Sequence, residues 1–524
     1  MAPASPHPPL PRGAFRSTKA VMGGLAALVV LPLGPGPSVA AEPRLPLASP
    51  ERLPPALAWP PFSKRPPSAA QSLESLERRL YRNRDHLERT SRRLSMAEAL
   101  ATGLARNPIL AKAHAGISAT RWSGVAIRRE WAPSLKMDNN DPGLVGVQQQ
   151  QDDTFSISSP ELTLEWTFFD PSRLPRGKAN AASLAADRFL FDVEARSLLL
   201  TLQSRYLELQ SLLALEVEYR ELSTVVEGWL RLARSRGRGG PAMPDEDQLI
   251  TQQLALLILR VDTHEQVIAA ASRLAQALSL PPGELVMPSE PLALQGQWTL
   301  SRMDTITQAL RLREEIQRSL AQATSLDWSA VATRKGYLPT LSLEGSGSSE
   351  SNSANSGLDS QGTVGMNVRW TLFDGGILAA KATSQRQQQE QALQQAALDR
   401  LAVTQEVETS YAAYLNSEIL VDSAIAQLQS VQASIAAATR GYAAGSTDAT
   451  TLVQVLGTTR GAVEAYCRAL LKHNRSVVEL ERASARWPAA APALLQQRVA
   501  SLEASPGPGA TPQVSEPGPP GIPR

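Results

Sequence analysis

The sequence predicts a mainly helical protein that carries a small amphipathic β-sheet and is built as a tandem repeat. Three observations carry this reading. LTLEWTFFD at Leu162–Asp170 returns as VGMNVRWTLFD at Val364–Asp374, so that Trp166, Thr167, Phe169 and Asp170 recur 204 positions later. In both copies apolar and polar residues alternate, the period of a strand with one greasy and one wet face. Each copy is followed by a helical pattern far longer than the roughly 11 or 12 residues of a mean globular helix.

The alternation assigns faces. Leu162, Leu164, Trp166 and Phe168 share the apolar side of the first copy, and Val364, Met366, Val368, Trp370 and Leu372 that of the second. Thr163, Glu165 and Thr167 share the polar side with Asn367, Arg369 and Thr371.

In chain order, Arg12, Arg16 and Lys19 precede a short apolar run, Ala20–Leu33, and the small residues Ser38-Val39-Ala40. This is the layout of a cleaved export signal over residues 1–40, and the run is too short to span a bilayer. Residues 41–94 form a Pro-rich linker, with Pro54-Pro55, Pro60-Pro61 and Pro66-Pro67, and then a charged stretch over Gln71–Arg93 that reads as a solvated helix. The first repeat spans 95–283, a linker covers 284–300, and the second repeat spans 301–487. The Pro- and Ala-rich tail, 488–524, reads as unable to build a core.

Each repeat opens with a helix. Ser95 and Glu98 form a capping box ahead of Ala97–Glu130, and Asp304–Lys335 is its counterpart. The helices stop at Trp131-Ala132-Pro133-Ser134-Leu135 and Tyr337-Leu338-Pro339-Thr340-Leu341, where proline forbids continuation. Short strands start at Leu135 and Leu341. The polar stretches Asp138–Asp153 and Gly345–Gln361 read as hairpin loops, and the two returning strands follow. Lys178–Arg236 and Ile377–Arg440 then give helices of about 90 and 95 Å. In the first, Phe191, Ala195, Leu198, Leu202, Tyr206, Leu209, Leu213 and Val217 make a coiled-coil-like seam. Glycine turns, Gly237–Gly240 and Gly445-Ser446, fold each long helix back onto a second one, Asp245–Leu280 and Thr450–Arg486.

A net charge of +2 gives no field that would favour nucleic acid. The lone Cys467 cannot pair within the chain and reads as a small core residue. His7, His86, His114, His264 and His473 are scattered without metal-ligand spacing, and no phosphate loop or nucleophile motif is present, so neither an enzyme nor a cofactor is expected.

An exported chain with two-faced strands flanked by Trp and Phe suggests an outer-membrane barrel. Four strands cannot close one, and open edges in hydrocarbon would leave backbone groups unpaired. Copies of the chain must share the barrel, and three copies would give twelve strands around a lumen.

The chain resembles the TolC family of outer-membrane efflux and secretion channels over about Ser95–Trp487. The residues that carry the likeness are Asn107-Pro108, the PSL and PTL joints, WTFFD, WTLFDGG and the glycine-turn hairpins. The resemblance implies a homotrimer with a twelve-stranded barrel and a twelve-helix periplasmic tunnel. It further implies an adaptor and an inner-membrane pump as partners, in drug efflux or type I secretion. By the same likeness Gly239, Gly240, Asp247, Gly445, Asp448 and Gln454 lie at the tunnel tip, where the adaptor docks and the gate closes. The family's gate carries carboxylates after the second turn, whereas Val453–Thr459 has Gln454 and Gly457 there, so an anionic ring does not carry over to this position. For Asp245, Asp247 and Asp448, starting a helix is the plainer role. A secreted or periplasmic coiled-coil scaffold is the alternative, but it has no use for the alternating strands.

Overall fold

The computed structural model describes residues 69–140, 146–147, 154–155, 157–236, 244–352, 358–489 and 491–504. The export signal and the Pro-rich linker lie outside them. The order of elements begins α1 (Ala69–Thr90), β1 (Arg92–Leu94), α2 (Met96–Arg106), α3 (Pro108–Arg129), β2 (Ser134–Asn140), β3 (Gly146–Val147), β4 (Thr154–Phe155) and β5 (Ile157–Phe169). The long helix α4 (Arg173–Arg236) and its return α5 (Pro244–Ala277) complete the first repeat, followed by β6 (Val286–Pro288). The second repeat gives α6 (Arg302–Leu312), α7 (Glu314–Lys335), β7 (Thr340–Asn352), β8 (Leu358–Arg369), α8 (Ile377–Ala444) and α9 (Ala449–Ala483). A last helix, α10 (Ala491–Ala504), follows.

With 64 and 68 residues, α4 and α8 are about 96 and 102 Å long. The opening helix of each repeat is two helices rather than one. At Asn107 the side chain accepts from the Ile109 N–H and Pro108 takes the first helical position, so α3 starts afresh. At the matching point Arg313 turns extended and buries its guanidinium against Glu315, Glu406 and the Ala483 carbonyl. Apolar residues continue at helical spacing on either side of both points, and so favour reading each pair as one helix.

The main sheet has the order β2-β5-β7-β8, antiparallel throughout. Its strands reach well into the stretches expected as loops, β2 to Asn140 and β7 to Asn352. Ser, Gly and Asn look loop-like in isolation, but the ladder needs only backbone groups, and β5 and β8 supply them. Conversely, β8 stops at Arg369, opposite Thr340 at the start of β7. Trp370, Thr371 and Leu372 therefore fall beyond the strand in which they were expected.

Four cores hold the helices among the described residues, two of them large. One large core gathers Leu94, Leu104, Phe191, Leu202, Tyr206, Leu209, Leu274 and Val286 where the first repeat meets the linker. Gly103 permits this packing, since a Cβ there would stand 2.4 Å from Leu202 Cδ1. The other joins the far ends of both hairpins through Val226, Trp229, Leu249, Tyr442 and Leu452, with the Trp229 indole donating to Thr439 Oγ1 at 2.9 Å. The α4 seam is buried from Phe191 to Leu209, but Leu213 is only partly buried and Val217 is exposed. The straight helix turns those two positions out of line.

Both ends of the chain depart from expectation. The charged N-terminal helix α1 is docked, not merely solvated: Leu80 and Leu87 are buried, and β1 pairs in parallel with β6 of the linker. The tail does not start as featureless chain, because α10 buries Ala491 and Leu495 in the first core and Arg121 pairs with its Glu503 at 3.2 Å. Cys467 is buried, and that burial pushes its thiol up to about 11.

Candidate functional site

The register of the sheet sorts its side chains into two faces. Rows across the strands read Met137, Leu162, Gly347; then Leu135, Leu164, Gly345, Val364; then Trp166, Leu343, Met366; then Phe169, Leu341, Val368. This face is turned outward in the single chain, with Leu162 at 48% and Val364 at 82% exposure. So large an uncovered apolar surface marks contact with a lipid or protein phase. The opposite rows are Lys136, Thr163, Ser346, Thr363 and then Ser134, Glu165, Glu344, Gly365, with Thr167, Ser342 and Asn367 beyond. Lys136 Nζ lies 3.4 Å from Glu165 Oε2, and Asn367 donates to Glu344 Oε1 at 3.0 Å.

A bulge between Thr167 and Phe169 changes one position. Phe168 is the extra, unpaired residue, its ring 6.0 Å from that of Trp166, while Phe169 pairs with Leu341 and is exposed. Strict alternation, which singled out Phe168, passes over Phe169 because a bulge shifts the period by one.

The duplicated tryptophans have matching partners. The Trp166 indole donates to the Trp131 carbonyl at 3.0 Å, and Trp370 to the Tyr337 carbonyl at 3.0 Å. Each ties the end of a returning strand to the proline joint that began the hairpin. The duplicated aspartates start the long helices. Asp170 accepts from the Ser172 N–H and from Arg176, and Asp374 from the Gly376 and Leu378 N–H groups and the Tyr337 hydroxyl. The Leu378 N–H, above all, holds the Asp374 carboxyl below its usual range.

At the opposite end, Gly445 closes α8 with φ +81°. Its N–H reaches the Tyr442 carbonyl, and Ser446 N–H reaches that of Gly441. A Cβ at Gly445 would also stand 3.0 Å from Arg236 Nη2. Gly445→Val should therefore destabilise the tip by about 1–3 kcal/mol, read as an earlier thermal transition. Asp448 caps α9: the Thr451 hydroxyl and N–H hold its carboxylate below the usual range. Asp247 is exposed in the first turn of α5, and Gln454 is exposed on α9. Gly239 and Gly240 lie outside the described residues.

At the tip, Arg236 and Tyr442 escape sequence reading, and Asp245, expected only to start a helix, gains a partner. Arg236, the last residue of α4, donates to the Tyr442 carbonyl at 2.9 Å and stands 5.0 Å over its ring. The Tyr442 hydroxyl donates to Asp245 Oδ2 at 3.3 Å. Tyr442 lies 206 positions from Arg236 and 197 from Asp245, so no local pattern announces the contact. The contact joins the two hairpins at their ends.

Two hairpins of strands feeding two helical hairpins give the fold of TolC-type outer-membrane channel subunits. Residues 305–486, nearly all of the second repeat, match the family model described as outer membrane efflux protein. The second repeat thus matches that family, whose description is of outer-membrane proteins. No curated protein matches the sequence. Among solved structures, the CmeC outer membrane channel of Campylobacter jejuni is 14% identical, with a TM-score of 0.64 over 77% of this chain and 89% of its own. VceC of Vibrio cholerae is 14% identical, with a TM-score of 0.61 over 74% and 95%. The outer-membrane channel OprN is 18% identical, with a TM-score of 0.62 over 74% and 89%. At such identities the likeness speaks for the fold. Among the described residues no helix is long and apolar enough to cross a membrane.

Proposed function

We propose that three copies of this chain form a channel-tunnel that carries substrates across periplasm and outer membrane, receiving them from an adaptor and an inner-membrane pump. The observation that carries this reading is the sheet. The outer edges of β2 and β8 have no partner strand among the described residues, and its apolar face is bare. Because the four strands alternate in direction, β8 of one copy can pair antiparallel with β2 of the next. Three copies then close a twelve-stranded wall with Leu162, Leu164, Trp166, Val364, Met366 and Val368 towards lipid. Thr163, Glu165, Thr167 and Asn367 face the lumen.

The helices support the same assembly. α7 fills the space between α4 and α8 within the chain, whereas α8 leaves Leu398, Leu401, Leu415 and Ile419 exposed. An α3 from the next copy would cover them as α7 covers the other side. The Arg236–Tyr442–Asp245 contact ties the hairpin ends together and suits a closed aperture. MtrE of Neisseria gonorrhoeae, which shares the fold at 17% identity, has been captured as an open state.

Two measurements test this. The protein should fractionate with outer membranes and run as a trimer in mild detergent; a soluble monomer would end the reading. Arg236→Ala should raise single-channel conductance in planar bilayers several-fold by loosening the tip, whereas an unchanged conductance would remove that contact from the gate.

A further inference from the structure

The first hairpin carries a polar row that its own two helices match only in part. Gln253, Arg260, His264, Ser223 and Glu216 are all at most 5% exposed, although they lie between α4 and α5 at positions where coiled coils place apolar side chains. Within the hairpin, Gln253 Nε2 donates to Ser223 Oγ at 2.6 Å; the other internal approaches, Gln253 Nε2 to Glu227 Oε1, Arg260 Nη1 to Ser223 Oγ and His264 Nδ1 to Glu216 Oε1, are all long at 3.5 Å. The remainder is met by α1. Gln253 Nε2 also lies 3.2 Å from Glu77 Oε1, and Arg260 Nη1 lies 3.8 Å from the same atom. The Arg260 guanidinium stands 5.4 Å from the Tyr81 ring centre, and Arg84 Nε lies 4.0 Å from Glu216 Oε1. Acid meets base and base meets acid along one face of α1, at Glu77, Tyr81 and Arg84.

Several features make this contact loose. The two ion pairs are long. His264 makes no hydrogen bond through either ring nitrogen, and Gln253 Oε1 has none, among the described residues. The buried apolar residues that α1 contributes there are Leu80 and Leu87. On its outer side α1 is held together by its own pairs, Glu74–Arg78 and Asp85–Arg89, so it keeps helical support when lifted away. Its C-terminal end is anchored by β1 on β6, which makes Ser91 the pivot. Glu77 lies beside Gln253 and Arg84 beside Glu216. By helical rise, the N-terminal end of α1 then reaches the first turns of α5, near the hairpin tip.

We propose that α1 is a displaceable strap over a helix-docking groove of the α4–α5 hairpin. Its natural competitor is a partner's amphipathic helix bearing an acid, an aromatic residue four positions on and a base three beyond that. The strap holds the groove at the high effective concentration of a tethered segment and gives way to a partner that brings a second contact at the tip. The identity of that partner as an adaptor rests on the channel reading; the groove and its strap do not.

The test uses the full chain in mild detergent. By hydrogen exchange, backbone amides of residues 73–90 should exchange at least a hundredfold faster than those of 256–275. A Glu77→Cys/Gln253→Cys pair then locks the strap on oxidation; Cys467 is buried and stays out of the reaction. A labelled synthetic peptide of residues 69–90 should bind the reduced protein and lose at least tenfold in affinity on oxidation. A Glu77→Arg peptide should bind wild type tenfold more weakly and recover on an Arg260→Glu protein. Exchange of α1 as slow as that of α5, or peptide binding indifferent to oxidation and to the charge swap, would overturn the proposal. None of these readouts involves transport, so the channel reading stands or falls separately on fractionation and conductance.

Discussion

Replacing Leu164 with arginine is expected to strip the protein from the outer membrane, while arginine at the adjacent Thr163 is expected to leave it there. Leu164 sits in the middle row of the sheet, between Leu135 and Gly345, on the uncovered apolar face. If that face meets lipid, an arginine near the midplane costs about 2–4 kcal/mol per chain, and three copies multiply the penalty in one assembly. Thr163 belongs to the polar row with Lys136 and Ser346, where a guanidinium would remain in water. The measurement is the amount of trimer in the outer-membrane fraction for each variant. Equal losses, or equal tolerance, would contradict the assignment of faces.

Arg196→Ala is the second large effect, and it concerns stability. Arg196 is 5% exposed and donates to both Glu314 oxygens at 2.8–3.0 Å and to the Arg486 carbonyl at 3.2 Å. Its guanidinium also stacks 3.8 Å from the Trp487 ring centre. It thereby joins α4, the start of α7 and the chain end that leads into α10. Nearby Asp192 is already pushed up to about 6 by burial and by Glu314, with Arg196 opposing that rise. Removing the arginine leaves two carboxyl groups facing each other without a cation. Breaking a buried pair in this way costs about 3–5 kcal/mol, which denaturant titration should show as a lower midpoint at unchanged slope. Adding Glu314→Gln to Arg196→Ala, which removes the carboxylate charge left without a partner and keeps an acceptor there, should recover part of the loss. A loss below about 1 kcal/mol for Arg196→Ala would mean that the pair is solvated.

Much of this architecture was legible in residue order because it depends on periodicity. Two-residue alternation at Leu162–Thr167 and Val364–Arg369 survives in the sheet as two faces, and the long apolar repeat of α4 survives as its buried stretch. Glycine at the second helical turn was equally readable, since Gly445 takes a left-handed conformation that a side chain would strain. What could not be read depends on partners distant in sequence. Arg313 looks like an ordinary helical residue until Glu406 and the end of α9 are placed beside it. Val217 continues the α4 pattern until the straight helix rotates it outward. Phe169 replaces Phe168 in the ladder because a bulge, set by pairing with β7, shifts the count.

Local chemistry settled which segments are strand, helix or turn, because alternation, capping and the proline joints act within a few residues of each other. Tertiary structure alone decided where strands end, which helices break, that α1 and α10 dock rather than wander, and that Arg236 meets Tyr442. Most of these outcomes rest on groups far apart in the chain, from Arg313 and Glu406 at 93 positions to Arg121 and Glu503 at 382, and a contact across that distance leaves no trace in the spacing of neighbours.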